Sequence, residues 1–128
     1  MTTARTSTKA LGDAAETRAL AHLAGHGLAL VRRNYRVARG PRLRGGEVDL
    51  IMRAPDGTLV FVEVRSRRDA RFGGAAASIG AGKRQSLILA ARHYLRDLPA
   101  PPPCRFDVVA VDGDRIEWLQ GAFDAGAG

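Results

Sequence analysis

The stretch EVDLIMRAPDGTLVFVEVR, residues 47–65, decides how this chain folds. It holds two runs rich in β-branched and apolar residues, Glu47–Arg53 and Thr58–Arg65, separated by Ala54-Pro55-Asp56-Gly57. Such runs, bounded by Pro and Gly, read as the two strands of a hairpin. Pro55 presets the first turn residue, and Gly57 can take the left-handed conformation that closes a three-residue loop. That loop pairs Ala54 with Thr58. Counting back, Ile51 faces Phe61, Asp49 faces Glu63 and Glu47 faces Arg65. Strand side chains alternate, so these six are expected on one face. Val48, Leu50, Val60, Val62 and Val64 then form an apolar wall on the other. A four-residue loop would put Asp49 and Glu63 on opposite faces.

Directly opposed side chains have Cβ atoms about 5 Å apart, and like charges there repel. A shared proton or a divalent cation relieves them. Oxygen-only ligands select Mg²⁺ or Mn²⁺ over zinc, and the sequence has no Cys/His cluster to compete. A plainer alternative stands beside this: Asp49 lies near solvent and Glu63 pairs with one of the many arginines. The spacing leaves both open.

Outward from the hairpin, Gly12–Gly25 reads as a first helix with Leu11, Ala14, Ala15, Leu20 and Leu23 on one stripe. Leu28–Val37 reads as a strand, and residues 39–46 as a Gly/Arg/Pro loop. After the hairpin and a polar connection at 67–77, Ala81–Leu98 has helical spacing, with Leu87, Ile88, Ala91, Tyr94, Leu95 and Leu98 inward. The prolines from Pro99 to Pro103 stop it. Phe106–Val111 and Arg115–Leu119 are short strands around Asp112-Gly113-Asp114, and the chain is expected to fray after Gly121. A helix linking the third and fourth strands is a crossover, so that pair is expected parallel and the first three strands antiparallel. The class is α/β: a mixed sheet of about five strands between two helical layers.

At 128 residues the chain is sized for one domain. Residues 1–10 read as a flexible tail, 11–123 as the domain and 124–128 as a frayed end. No apolar run is long enough to cross a bilayer, and the Thr-rich start has no apolar run behind it, so neither a membrane nor secretion is expected. A single cysteine, Cys104, allows no intrachain disulfide and fits a cytoplasmic location. Of the 20 basic residues, 15 fall in residues 32–96 against five acidic ones. That concentration is the footprint of a polyanion partner.

The residues Gly46-Glu47-Val48-Asp49-Leu50-Ile51, Phe61-Val62-Glu63-Val64-Arg65, Arg67-Arg68, Phe72-Gly73-Gly74-Ala75-Ala76-Ala77-Ser78, Lys83, Gln85 and Arg105-Phe106-Asp107-Val108-Val109 resemble the YraN family of small uncharacterised bacterial proteins. The likeness runs from about Gly12 to Phe123. It implies a three-layer α/β/α restriction-endonuclease-like, or Holliday-junction-resolvase-like, core. It further implies a nuclease site of Asp49 and Glu63 as metal ligands with Glu16 as a helical carboxylate. The superfamily's lysine position, two residues after Glu63, holds Arg65. Arginine can clamp a phosphate but cannot act as a general base. Lys83, opening the second long helix, could supply a lysine from elsewhere.

Three functions follow: a Mg²⁺- or Mn²⁺-dependent endonuclease, with branched DNA as one candidate substrate; a non-catalytic nucleic-acid-binding module; or a protein-interaction module. Arg67, Arg68, Arg71, Lys83 and Arg84 are the expected contacts to a nucleic-acid backbone. Gly80-Ala81-Gly82-Lys83-Arg84 lacks the first Gly and the final Ser/Thr of a nucleotide phosphate loop. His22 and His26 are spaced i, i+4 without a third ligand. They read as surface residues, His93 as structural, and Trp118 as packing at the sheet edge.

Overall fold

The computed structural model describes residues 8–41, 43–66 and 79–125, with side chains from residue 12 onward. The elements are α1 (Thr8–Gly25), β1 (Ala29–Val37), β2 (Gly46–Arg53), β3 (Leu59–Ser66), α2 (Ala81–Arg96), β4 (Cys104–Asp112) and β5 (Arg115–Phe123). The strands form one sheet in the order β1-β2-β3-β4-β5. The β3–β4 pair is parallel and the other three pairs are antiparallel. The mixed five-stranded sheet expected from the sequence is therefore the observed one.

The hairpin turn has the expected three-residue loop. Ala54 N–H donates to Thr58 O at 2.9 Å, Gly57 N–H to Ala54 O at 2.9 Å, and Gly57 has φ of +92°. The register is the one the turn dictates: Arg53 faces Leu59, Met52 Val60, Ile51 Phe61 and Leu50 Val62. All these apolar side chains are fully buried, each contributing about 1.5–3 kcal/mol relative to exposure.

Two cores sandwich the sheet. Ala15, Ala19 and Leu23 of α1 pack on Leu50, Met52, Val60, Val62, Val109 and Val111. Leu87, Ile88, Ala90 and Ala91 of α2 pack on Val48, Ile51, Leu59, Phe61 and Phe106. A hydrogen bond of 2.6 Å between the Tyr35 hydroxyl and His93 Nδ1 ties β1 to α2, so His93 is structural. The α1 stripe runs through Ala15, Ala19 and Leu23, while Ala14 is exposed. Ala15 and Leu23 are buried and Leu20 packs on the same core, as expected; alanine gives a weak periodic signal, so Ala14 stood in the expected stripe where Ala19 belongs.

Three further expectations are corrected. First, α1 starts at Thr8, inside the expected tail; Gly12, a poor helix former, had suggested a later start. Second, β5 runs on to Phe123 and Ala125 packs against the α2-side core, so residues 122–125 do not fray. The register shifts there, from Val108↔Leu119 to Phe106↔Phe123. Asp107, fully buried, fills the irregularity by accepting from Gly121 N–H at 3.0 Å, Trp118 Nε1 at 2.9 Å and Arg105 Nε at 3.1 Å. Gly121, at φ of +59°, supplies the backbone conformation that turns this amide inward.

Third, the strand parity fails at one point. Val48 lies on the α2 side and Leu50 on the α1 side, although alternation puts residues i and i+2 on the same face. The same switch occurs in β1, where Arg33 reaches α1 while Tyr35 reaches α2. The residue between them, Asn34, has φ of +56°, and the flanking register, Arg33↔Leu50 and Tyr35↔Val48, sets it opposite Asp49. Both strands turn over together at this pair. Glu47 consequently pairs with Arg36 at 3.9 Å rather than facing Arg65.

Asp107→Ala would leave three donors without their acceptor, one the indole N–H of the half-buried Trp118. It is expected to lower stability by about 3–5 kcal/mol in urea unfolding. Asp107→Asn, which keeps an acceptor, should cost clearly less.

Candidate functional site

Past Leu50↔Val62 the paired ladder of β2 and β3 stops. Alternation of hydrogen-bonded rungs makes the Val64 amide the next one facing β2. It donates to Asp49 Oδ2 at 2.8 Å. The Asp49 side chain thus replaces a backbone acceptor, and its carboxylate is fixed at the point where the strands part. Glu63, one residue before Val64, lies beside it, and the two charges act on each other. Both are buried, Asp49 at 7% exposure and Glu63 at 3%.

Two cations meet Glu63 Oε1: Lys83 Nζ at 3.5 Å and Arg65 Nη1 at 3.9 Å. Lys83 comes from the first turn of α2, where the crossover returns the chain to the sheet. Arg65 Nε is buried without a hydrogen-bond partner. Burial pushes the Glu63 carboxyl up to about 8, the Asp49 charge adds to this, and Lys83 and Arg65 oppose it. Burial likewise pushes Asp49 up to about 6 against the Val64 hydrogen bond, with Glu16 adding and Lys83 opposing. Around neutral pH the pair therefore retains about one proton between them.

Glu16 stands at the margin. It is buried on α1, and its Oε1 accepts from Arg33 Nε at 3.2 Å; its charge reaches Asp49, but its carboxylate is turned to Arg33. Arg84 is directed elsewhere, with its guanidinium 5.8 Å from the centroid of the Phe123 ring. Arg67, Arg68 and Arg71 lie outside the described residues. The rings of His22 and His26 lie tilted to each other at 4.6 Å and His26 packs edgewise on Trp118 at 5.4 Å; among the described residues no third metal ligand joins them. Arg33 and Asn34 escaped the sequence reading because the parity switch that brings them here has no local signature.

Among the described residues no three His, Cys, Asp or Glu side chains gather closely enough to hold a metal. The donor set present is a pair of carboxylates. That fits a hard divalent cation of the Mg²⁺ kind, which commonly takes one or two protein carboxylates and completes its shell with water and substrate phosphate oxygens.

An α/β domain whose sheet parts around two buried carboxylates is the class that fold and site define. The chain belongs to the uncharacterised protein family UPF0102, whose sequence pattern matches residues 15–111. This is the family also called YraN. It is 61% identical over 119 residues to the UPF0102 protein of Methylibium petroleiphilum, covering 93% of this chain and 98% of that one. It is 62% identical over 122 residues to that of Paracidovorax citrulli, covering 95% and 88%. It is also 62% identical over 121 residues to that of Cupriavidus taiwanensis, covering 94% and 88%. No helix among the described residues is long and apolar enough to cross a membrane.

The folded carboxyls sit above their unfolded values, so the folded chain binds more protons than the unfolded chain. Stability from this pair is full below about pH 4 and declines as pH rises through about 6 and then about 8. Glu63→Gln is expected to gain about 1–3 kcal/mol over the parent at pH 8.5 and nothing at pH 4. Urea unfolding across pH measures this, and an unchanged pH dependence in the variant refutes it.

Proposed function

We propose that this chain is a metal-dependent nuclease that hydrolyses phosphodiester bonds, with DNA as its substrate. The observation that carries the reading is Lys83 Nζ, 3.5 Å from Glu63 Oε1 beside the Asp49 carboxylate. It brings an amine to a site whose strand position, Arg65, cannot furnish one. A site with two carboxylates, an ammonium and a guanidinium has the groups that phosphodiester hydrolysis needs.

Asp49 and Glu63 would hold Mg²⁺ or Mn²⁺, which supplies positive charge and Lewis acidity to a phosphate. The protein's own groups do the rest. The Val64 amide keeps Asp49 from swinging away, so one ligand is preorganised. Lys83 can donate hydrogen bonds to a water or a phosphate oxygen, and its flexible stem lets it leave Glu63 when substrate arrives. Arg65 has an unused Nε–H and can clamp charge that develops on phosphate oxygens, without accepting a proton. Loss of the proton shared by Asp49 and Glu63 accompanies cation binding. The basic excess of residues 32–96 supports a polyanionic substrate.

A second reading, a nucleic-acid-binding module without cleavage, is favoured by Glu16, whose carboxylate is committed to Arg33. Cleavage of labelled linear, flapped and four-way DNA with Mg²⁺ or Mn²⁺ separates the two. Activity should fall at least about 10³-fold in Asp49→Asn and Glu63→Gln, with DNA binding kept in both, and roughly 10²-fold in Lys83→Met. Binding without cleavage of any form by the parent protein favours the second reading, and no DNA binding at all overturns both.

A further inference from the structure

Two clefts run along the flank of α2. The inner one, about 540 Å³, is lined by Arg36, Arg44, Glu47, Gly82, Lys83 and Ser86, among others. The outer one, about 370 Å³, is lined by Arg39, Arg44, Gln85, Ser86 and Arg92, among others. They share Arg44, Gly45 and Ser86, so they adjoin along α2. Among the described residues no carboxylate lines the outer cleft. The acidic group of the inner one, Glu47, is already paired with Arg36.

The channel is built by close approach. A Cβ on Gly46 would lie 2.7 Å from Ala90 N and 2.9 Å from Ser86 O, so β2 begins pressed against α2. Ser86 Oγ accepts from Glu47 N–H at 3.1 Å and seals that floor. A Cβ on Gly82 would collide with the Arg44 guanidinium, which crosses the first turn of α2. That turn has no acidic residue, and its cap, Gly80, contributes no side-chain acceptor. Arg44 and Lys83 are thus gathered at the positive end of a helix, and Lys83 is offset there by Glu63 at 3.5 Å. Arg39, Arg44 and Arg92 are all exposed.

We propose that this double cleft is the track for the phosphate backbone of a nucleic-acid strand, entering at Arg92 and Arg39 and delivered past Arg44 to Lys83 and the Asp49–Glu63 pair. The proposal rests on the nucleic-acid reading above and adds the surface and the direction of approach. The α2 residues of the linings advance from Gly82, Lys83 and Ser86 in the inner cleft to Gln85, Leu89 and Arg92 in the outer one. From Gly82 to Arg92 the helix rises about 15 Å, about four nucleotide steps of one duplex strand.

The test is fluorescence anisotropy of labelled DNA against salt, on the full chain without divalent ions. It compares Arg39→Gln/Arg44→Gln/Arg92→Gln with Arg18→Gln/Arg53→Gln/Arg115→Gln, which removes equal charge outside the clefts; thermal melts verify that both fold. The cleft variant should bind at least about 30-fold more weakly near 100 mM salt, with a salt slope shallower by about 2–3. The second variant should change binding by less than about 3-fold. Equal losses in the two variants, or none in the cleft variant, overturn the track while leaving the nucleic-acid reading intact. Absence of DNA binding by the parent overturns that reading and the track together. Polyglutamate bound as tightly as DNA, with the same loss in the cleft variant, assigns the channel to an acidic protein segment instead.

Discussion

A side chain standing in for a backbone rung sets the character of this domain. Where β2 and β3 would continue their ladder, the Val64 amide turns to Asp49 Oδ2. An orphaned buried amide costs about 1–3 kcal/mol, so the strands can part here only because a carboxylate is present to accept. The parting makes room for Glu63, and the turned-over pair Asn34 and Asp49 aims neighbouring side chains at both helical layers. Arg33 then meets Glu16 of α1, and Tyr35 meets His93 of α2. One local substitution of acceptor thereby links the sheet's irregularity, the docking of both helices and the burial of two acids.

The hairpin was legible because its turn chemistry and strand alternation agree. Pro55-Asp56-Gly57 determines the loop length, loop length determines register, and the four observed rungs follow. The crossover through α2 was legible for a similar reason, since Pro99 and the Gly-rich entry bound a clear helical period. What the sequence concealed is the break in period at Asp49. An alternating run shows no sign of which residue will take a left-handed or twisted conformation, and Asn34 is one polar residue among several in β1. Val48 and Glu47 were therefore assigned to the wrong faces, although Asp49 and Glu63 still come together. The bulge in β5 was hidden likewise, because Asp107 reaches across to Gly121 and Trp118 through tertiary contacts.

Lysine and arginine divide the work at Glu63 in a way that sequence order obscures. Arg65 is two residues away on the same strand and reaches the carboxylate at 3.9 Å, whereas Lys83, twenty residues on, reaches it at 3.5 Å. The crossover returns α2 over the end of β3, so distance along the chain says little about distance in space. Arg65 has its Nε buried and its geometry restricted, which suits a fixed positive charge. Lys83 is 39% exposed at the cleft mouth, which suits a group that must exchange partners with an incoming ligand.

Comparison of the buried acids within this one sheet separates scaffolding from chemistry. Asp107 is fully buried, yet it receives an indole N–H, a backbone N–H and a guanidinium, and its charge is satisfied within the fold. Among the described residues, Asp49 receives one amide and Glu63 meets two cations at 3.5 and 3.9 Å, beyond ideal hydrogen-bond length. These two also repel each other, and burial disfavours their ionised forms. The described neighbours of Asp107 thus compensate its charge more closely than those of the pair do. A divalent cation between Asp49 and Glu63 would relieve their repulsion, and an anion would answer the basic clefts beside them.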